Sequence, residues 1–266
     1  MKGYIYYEEE DAVRNSWFID ELIAAGASLQ MDVELITGDV ELPSDTSFIL
    51  YRGRDFEKSR SFEEQGVLVV NRSEVTRITN DKYQSFQLAT LLGIPAIPTN
   101  MLTSSDEIGT YPVVVKTSEG HGGTDVQLCA NAAEVDELRT RYGSSQLLVQ
   151  PYIEHDASDV RLYVIGDEVV GAVRRTAVDS FKANVALGGV AEDFDAPSPL
   201  RQFAEKIAKA IKSDYVGVDF IQQRDGVWLL NEIEDPVGAR SLYETSELNV
   251  AREVMNHIHK KITKTL

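Results

Sequence analysis

The sequence predicts a mixed α/β and α+β chain in two parts: a small open α/β unit over residues 1–71 and a larger α+β region over 72–266. Three observations lead there. Up to residue 71, short apolar runs flank an amphipathic helix at the spacing of strand–helix–strand units, which build a parallel sheet. Beyond Arg72 the apolar runs come in pairs joined by tight polar turns, the texture of antiparallel hairpins. And 266 residues suffice for one large domain or two modest ones, each with a core.

Taken in order, residues 3–7 read as a strand and 15–27 as a helix with Trp17, Phe18, Leu22 and Ile23 along one face. Strands follow at 33–37, 47–51 and 67–70. No G-x-G-x-x-G follows the first strand, so no dinucleotide site is read there. Residues 81–92 form a helix with Phe86, Leu88, Leu91 and Leu92 as its apolar face; Gly93 stops it and 94–99 leads out extended. A strand at 112–116 ends in Lys116 and enters a turn holding Gly120, Gly122 and Gly123. Strand 125–129, helix 133–141 and strand 146–153 come next. Residues 159–165 and 168–175 make a hairpin joined at Gly166-Asp167, and 180–189 a loop of small residues. The amphipathic helix 200–211 leads into a last hairpin, and 251–261 is the closing helix.

A formal net charge of −17 argues against non-specific nucleic-acid binding, which needs a basic surface. Any phosphate site must therefore be made locally. Cys129 is the single cysteine, which excludes an internal disulfide and cysteine-based zinc sites. No signal peptide or membrane-length apolar run is read, so a cytoplasmic protein is expected.

The last hairpin pairs 217–221 with 228–236 across the Asp225-Gly226 turn. That pairing brings Asp219 near Glu232 and Glu234, the latter two sharing a face. Carboxylates gathered inside an apolar hairpin repel one another and resist burial. A divalent cation relieves both problems, and all-oxygen ligands select a hard ion such as Mg²⁺. A solvated acidic strand end is the alternative. Lys116, beside its glycine turn, could hold phosphate through backbone N–H groups and a point charge, or be a solvated lysine next to a flexible loop. Arg161 alternates with apolar residues on its strand, and Arg175, Lys182 and Asn184 follow. Basic residues on interior strands need anionic partners, either the hairpin carboxylates or the phosphates of a substrate. His121 and His155 form no spaced metal cluster, and no Ser–His–Asp arrangement is seen.

The order of these pieces carries a resemblance. Asp81-Lys82 is followed by Pro112 to Lys116, Leu148-Val149-Gln150-Pro151-Tyr152-Ile153, Asp159-Val160-Arg161, Arg174-Arg175, Phe181-Lys182-Ala183-Asn184, Gly217-Val218-Asp219 and Glu232-Ile233-Glu234. Over residues 72–245 the chain resembles the ATP-grasp carboxylate–amine ligases, in particular the branch of ribosomal-protein glutamate ligases. The resemblance implies an ATP-grasp fold, two α+β lobes around a nucleotide cleft, preceded by a small α/β domain. It implies that Lys82 and Lys116 contact the nucleotide phosphates, that the backbone of Gln150, Pro151, Tyr152 and Ile153 reads the adenine edge, and that Asp159 holds the ribose. Arg161 and Arg175 would face the γ-phosphate and the acyl phosphate, Lys182 and Asn184 would form a phosphate- or metal-side pair, and Asp219, Glu232 and Glu234 would hold two Mg²⁺ ions. The chain departs from the branch at Lys182 (usually arginine), at Glu234 (usually asparagine) and at Pro236-Val237-Gly238 (usually Pro-Gly). A one-residue slip there would put Asn231 in the place of Glu232.

The implied activity is ligation of a carboxylate and an amine through an acyl phosphate, with ATP and Mg²⁺ as cofactors. The substrates are then a small-molecule or peptide carboxylate and an amine; no nucleic acid or membrane takes part, and a homo-oligomer is compatible. A precursor-peptide cyclase and a nucleotide-binding module without catalysis are the alternatives.

Overall fold

The computed structural model describes residues 1–103, 108–120, 125–154, 156–176 and 189–265. The first apolar runs become β1 (Lys2–Tyr6), β2 (Asp32–Ile36), β3 (Thr46–Tyr51) and β4 (Leu68–Val70), a parallel sheet in the order β2-β1-β3-β4. Alternation along β1 sends Ile5 into one core and Tyr4 and Tyr6 into another on the opposite face. Helices α1 (Glu9–Arg14) and α2 (Ser16–Ser28) add Ala12, Phe18 and Leu22 to the first core. Helix α3 (Phe56–Glu64) adds Phe62 to the second. The sequence pattern does not show α3, because Phe62 is its one buried apolar side chain; its start is fixed by Asp55, which accepts from the N–H groups of Glu57 and Lys58.

After the short α4 (Ser73–Thr79), α5 (Lys82–Leu91) begins at a second aspartate cap, Asp81, and ends before Gly93, whose φ of +66° suits glycine. Its buried face is not the expected one. Ser85, Leu88, Ala89 and Leu92 follow helical spacing toward the core, which turns Leu91 outward, 84% exposed. The segment that follows is a strap: Leu230 N–H donates to the Pro95 carbonyl and Ile97 N–H to the Leu230 carbonyl. The strap then continues into β5 (Asn100–Met101), the edge of a second sheet.

That second sheet is antiparallel, in the order β5-β8-β6-β7, from β6 (Val113–Thr117), β7 (Val126–Cys129) and β8 (Leu147–Pro151). Helix α6 (Ala132–Tyr142) packs Val135 and Leu138 against its Val113, Val115 and Leu147. The third sheet takes the order β11-β10-β9-β12-β13, from β9 (Ser158–Ile165), β10 (Glu168–Thr176), β11 (Val190–Asp193), β12 (Tyr215–Gln222) and β13 (Trp228–Glu234). Residues 112–153 and 159–234 thus belong to separate sheets, as a two-lobed grasp requires.

One face of the third sheet is apolar: Val160, Leu162, Val164, Val216, Val218, Phe220 and Ile233 bury against Leu200, Ala204, Ile207 and Ile211 of α7 (Ser198–Ile211). The other face carries the charged residues and closes at one end on Tyr163, Tyr215 and Val237. These join the core of β1 and α2 together with α8 (Arg240–Thr245) and α9 (Val250–Thr265). Among the described residues no helix is long and apolar enough to cross a membrane.

Gly217 sits where that charged face meets the core. A Cβ there would lie 2.6 Å from Val237 Cγ2 and 3.3 Å from Arg161 Cδ. Gly217→Ala should therefore lower stability by about 1–3 kcal/mol in urea denaturation; an unchanged midpoint would contradict this packing.

Candidate active site

Strand register assembles the site. Arg175 lies opposite Asp159, Arg161 opposite Asp219, Asp219 opposite Glu232, and Gly217 opposite Glu234. Because alternate residues share a face, Asp159, Arg161, Arg175, Asp219, Glu232 and Glu234 stand in one row across four strands. Phe220 pairs with Leu230 and Asp219 with Glu232, so the bulge between them absorbs Asn231. Glu232, not Asn231, is the residue across from Asp219.

Within the row, cations and carboxylates alternate. Arg161 grips Asp219 with two bonds of 2.7 Å from Nε and Nη2. Arg175 grips Asp159 with two of 2.6 Å, and its Nη2 also donates to Asp219 Oδ2 at 2.7 Å. Arg161 Nη1 pairs with Glu234 as well. Burial pushes the Asp219 carboxyl up, but the two guanidinium groups outweigh it and hold it below the usual range. Burial pushes Asp159 to about 6 against the pull of Arg175. Glu232 is also raised, by burial first, then by Glu234 working against the charge of Lys82.

Two lysines approach this row, Lys116 from the second sheet and Lys82 from the start of α5, a helix packed on the core of the third sheet. Lys82 opens α5, donates to the Gly120 carbonyl and stands 3.8 Å from Glu232. Its position is fixed by the neighbouring cap: Ser118 Oγ donates to Asp81 at 2.7 Å, and Lys82 N–H to the Ser118 carbonyl at 3.0 Å. Lys116, on β6, is 6% exposed, and burial lowers its ammonium to about 8, with Glu232 opposing and Lys82 adding to the shift.

The expected hinge residues lie where β8 leaves the second sheet. Gln150 is buried and donates to Thr99 Oγ1 at 2.7 Å; Pro151 ends the strand; Tyr152 N–H donates to the Pro112 carbonyl; Ile153 packs with Ile97, Ile221 and Leu229. A cavity of about 190 Å³ adjoins Ser158, Asp159, Arg174, Gln222 and Trp228. A smaller one of about 20 Å³ is lined by Arg54, Asn80, Lys82, Gly120, Glu232 and Glu234.

Several side chains therefore stand differently from the roles the resemblance implied. Asp159 is held by Arg175 rather than open to a ribose, and both arginines have carboxylate partners. Lys182 and Asn184 lie outside the described residues. Among the described residues no group of three or more His, Cys, Asp or Glu is gathered for a metal ion. The donor chemistry still suits a hard cation at Glu232 and Glu234, both only partly covered, whereas Asp219 is held by the Arg161 fork and by one bond from Arg175.

The sequence reading missed a polar joint behind the row. Asn71, just past β4, donates to the Tyr215 carbonyl at 2.6 Å and to Asp235 at 2.9 Å, and accepts from Tyr215 N–H at 3.0 Å. Asp235 also accepts from Thr76 at 3.1 Å, and burial raises it to about 6. The available signal was a lone asparagine ending an apolar strand and an aspartate directly after Glu234.

A family model described as RimK-like ATP-grasp domain matches residues 79–258. A probable alpha-L-glutamate ligase of Legionella pneumophila is 31% identical over 84% of this chain and 76% of its own. An uncharacterized protein of Mycoplasma genitalium is 26% identical over 98% of this chain and 93% of its own. Among solved structures, a RimK domain ATP-grasp protein from Sphaerobacter thermophilus aligns with a TM-score of 0.77 at 21% identity, covering 97% of this chain and all of that one. A D-alanine–D-alanine ligase from Bacillus anthracis complexed with ATP aligns with a TM-score of 0.75 at 16% identity, covering 100% of this chain and 98% of that one.

The depressed Lys116 ammonium gives a pH test. From about pH 8 to 10.5 the unfolded chain keeps a proton that the folded chain has released, so stability rises with pH in that window. The stability of the protein minus that of Lys116→Met should climb by roughly 2–3 kcal/mol across it in urea denaturation series. A flat difference would mean an ordinary lysine.

Proposed function

Because the chain belongs to the RimK-like ATP-grasp family, we propose that it is an ATP-dependent ligase joining a carboxylate to an amine through an acyl phosphate, with Mg²⁺ as the metal. The observation that carries this reading is the convergence of Lys116 from the second sheet and Lys82 from the start of α5 on Glu232, beside the arginine–carboxylate row. A free carboxylate is a poor electrophile at neutral pH, and phosphorylation supplies a leaving group. The γ-phosphoryl group passes to the substrate carboxylate with release of ADP; the amine then displaces inorganic phosphate and the amide forms.

The residues supply position and charge, and no protein nucleophile is needed. Lys116, half discharged near pH 8 in its buried setting, regains its proton preference once a phosphate lies beside it. Arg161 and Arg175 would trade part of their carboxylate contacts for the transferring phosphoryl group, in a water-poor setting where each such contact is strong. Glu232 and Glu234 would hold Mg²⁺, which supplies neutralisation of the phosphate charge. The hinge strand at Gln150–Ile153 would take the adenine. The Legionella relative suggests glutamate as the first amine to try, and the acidic surface suits a cytoplasmic enzyme with no nucleic-acid partner.

The test is ADP release with ATP and Mg²⁺ across a panel of amino acids and short peptides, with the products weighed by mass spectrometry. ADP release that needs an added acceptor, with a product one water lighter than its two parts, is the expected result. Absence of acceptor-dependent release across the panel would overturn the ligase reading. Glu232→Gln should keep the fold and lower turnover by about a hundredfold or more, since a neutral amide cannot offset the cation. Glu234→Asn, the residue usual in the resembling branch, should keep most activity; equal loss in both variants would undo the distinction.

A further inference from the structure

Three consecutive residues stand where the two lobes meet. Asn80 caps the end of α4, and its Nδ2 donates to the Asp235 carbonyl at 2.8 Å, which ties it to the residue after β13. Asp81 caps the start of α5, accepting from Tyr83 N–H at 2.9 Å and from Gln84 N–H at 3.2 Å. Lys82 is the first residue of that helix and reaches Gly120 and Glu232. The helix itself is seated on the core of the third sheet through Leu88, Ala89 and Leu92. Residues 80–82 therefore belong to the lobe that carries the arginine–carboxylate row.

Ser118 comes to them from the other lobe. It follows β6, two residues beyond Lys116, and is 2% exposed. Its N–H donates to the Gln146 carbonyl at 2.9 Å, which continues the pairing of β6 with β8. Its carbonyl accepts from Lys82 N–H at 3.0 Å, and its hydroxyl donates to Asp81 Oδ1 at 2.7 Å. A single hydrogen bond between two bodies is a pivot, whereas two bonds at different atoms fix an orientation. The backbone bond is open to any residue at this position; the second needs a hydroxyl. Burial pushes the Asp81 carboxyl up, but the bonds from Ser118 and Gln84 outweigh it and hold it below the usual range. The acceptor is thus a carboxylate at neutral pH, and the bond to it is of the strong, charge-assisted kind.

Lys116 and Ser118 lie two strand positions apart, about 6–7 Å, and Asp81 and Lys82 are neighbours in the chain. How Ser118 sits on Asp81 therefore sets how the two ammonium groups stand to each other. A lysine is a point charge on a flexible stem, and ordering such stems only at binding costs affinity.

We propose that Ser118 is a positioning residue for the nucleotide phosphates: its hydroxyl, bonded to Asp81, holds Lys116 of one lobe and Lys82 of the other at a fixed separation, so that a polyphosphate meets both at once. The proposal rests on the ligase reading above, which puts the phosphates beside these lysines. Ser118 acts through the two ammonium groups, its own proton being committed to Asp81. Binding of phosphate and closure of the cleft then become one event, and each favours the other by the same factor.

The test is calorimetric titration of the full chain, in Mg²⁺, with ATP and with AMP. Ser118→Ala should weaken ATP by at least about fivefold. AMP, which lacks the β- and γ-phosphates, should stay within about twofold, and that a general loosening of the fold would not allow. In a Lys82→Met background the same substitution should add less than about twofold for ATP, because a separation has no meaning once one ammonium is gone. Equal weakening of ATP and AMP, unchanged ATP affinity in Ser118→Ala, the same loss in both backgrounds, or no binding of either nucleotide to the unaltered protein would overturn the proposal. Failure of the ligase reading shows elsewhere, as absence of acceptor-dependent ADP release from a protein that still binds ATP.

Discussion

Two buried guanidinium groups hold the active lobe together. Arg161 and Arg175 share Asp219 between them, and each has a further carboxylate of its own. Ions so deeply placed lose much of their hydration, and only near-complete pairing offsets that loss; removing one partner typically costs about 3–5 kcal/mol. The row is therefore stable as a unit and intolerant of single gaps. That also explains why its strands need small or shaped neighbours: Gly217 leaves Arg161 the room to lie flat toward Asp219.

The same constraint links stability to chemistry. Arg161, Arg175, Lys82 and Lys116 face Asp159, Asp219, Glu232 and Glu234, so formal charge within the group balances. In the proposed reaction an arriving polyanion with its counter-cations would preserve that balance: phosphates would meet the basic side chains, and metal the acids they release. The preorganised part is the backbone register that lines these residues up. The proposed phosphoryl transfer would exchange partners within the row while that register stays in place.

Much of the scaffold was legible from the chain alone. The Asp225-Gly226 turn and the apolar runs beside it set the hairpin, and the spacing of Glu232 and Glu234 set their common face. Less legible was which partner each charge would choose. Asp219 reads in sequence as one of three acids on a hairpin, but the strand beside it brings Arg161 within reach, a long-range fact that local pattern does not contain. Asn71 escaped notice for a related reason: a single polar residue just past a strand has no periodicity to betray it. Leu91 misled because leucine content suggested a face that helical spacing, once Ser85 and Ala89 are counted, does not support.

The strap through residues 94–99 has a mechanical consequence. Its first half is bonded to β13 of one lobe and its continuation to β8 of the other. The second crossing between the lobes, just past β8, runs alongside: Ile153 sits in the same apolar cluster as Ile97, Ile221 and Leu229. Both connections thus pass through one small knot at one edge of the cleft. Sliding one lobe along the other would tear the bonds at Leu230 or at Val149, whereas swinging about the knot spares them. The molecule is built like a book with its spine at Ile97 and Ile153 and a clasp where Asp81 and Lys82 meet Ser118.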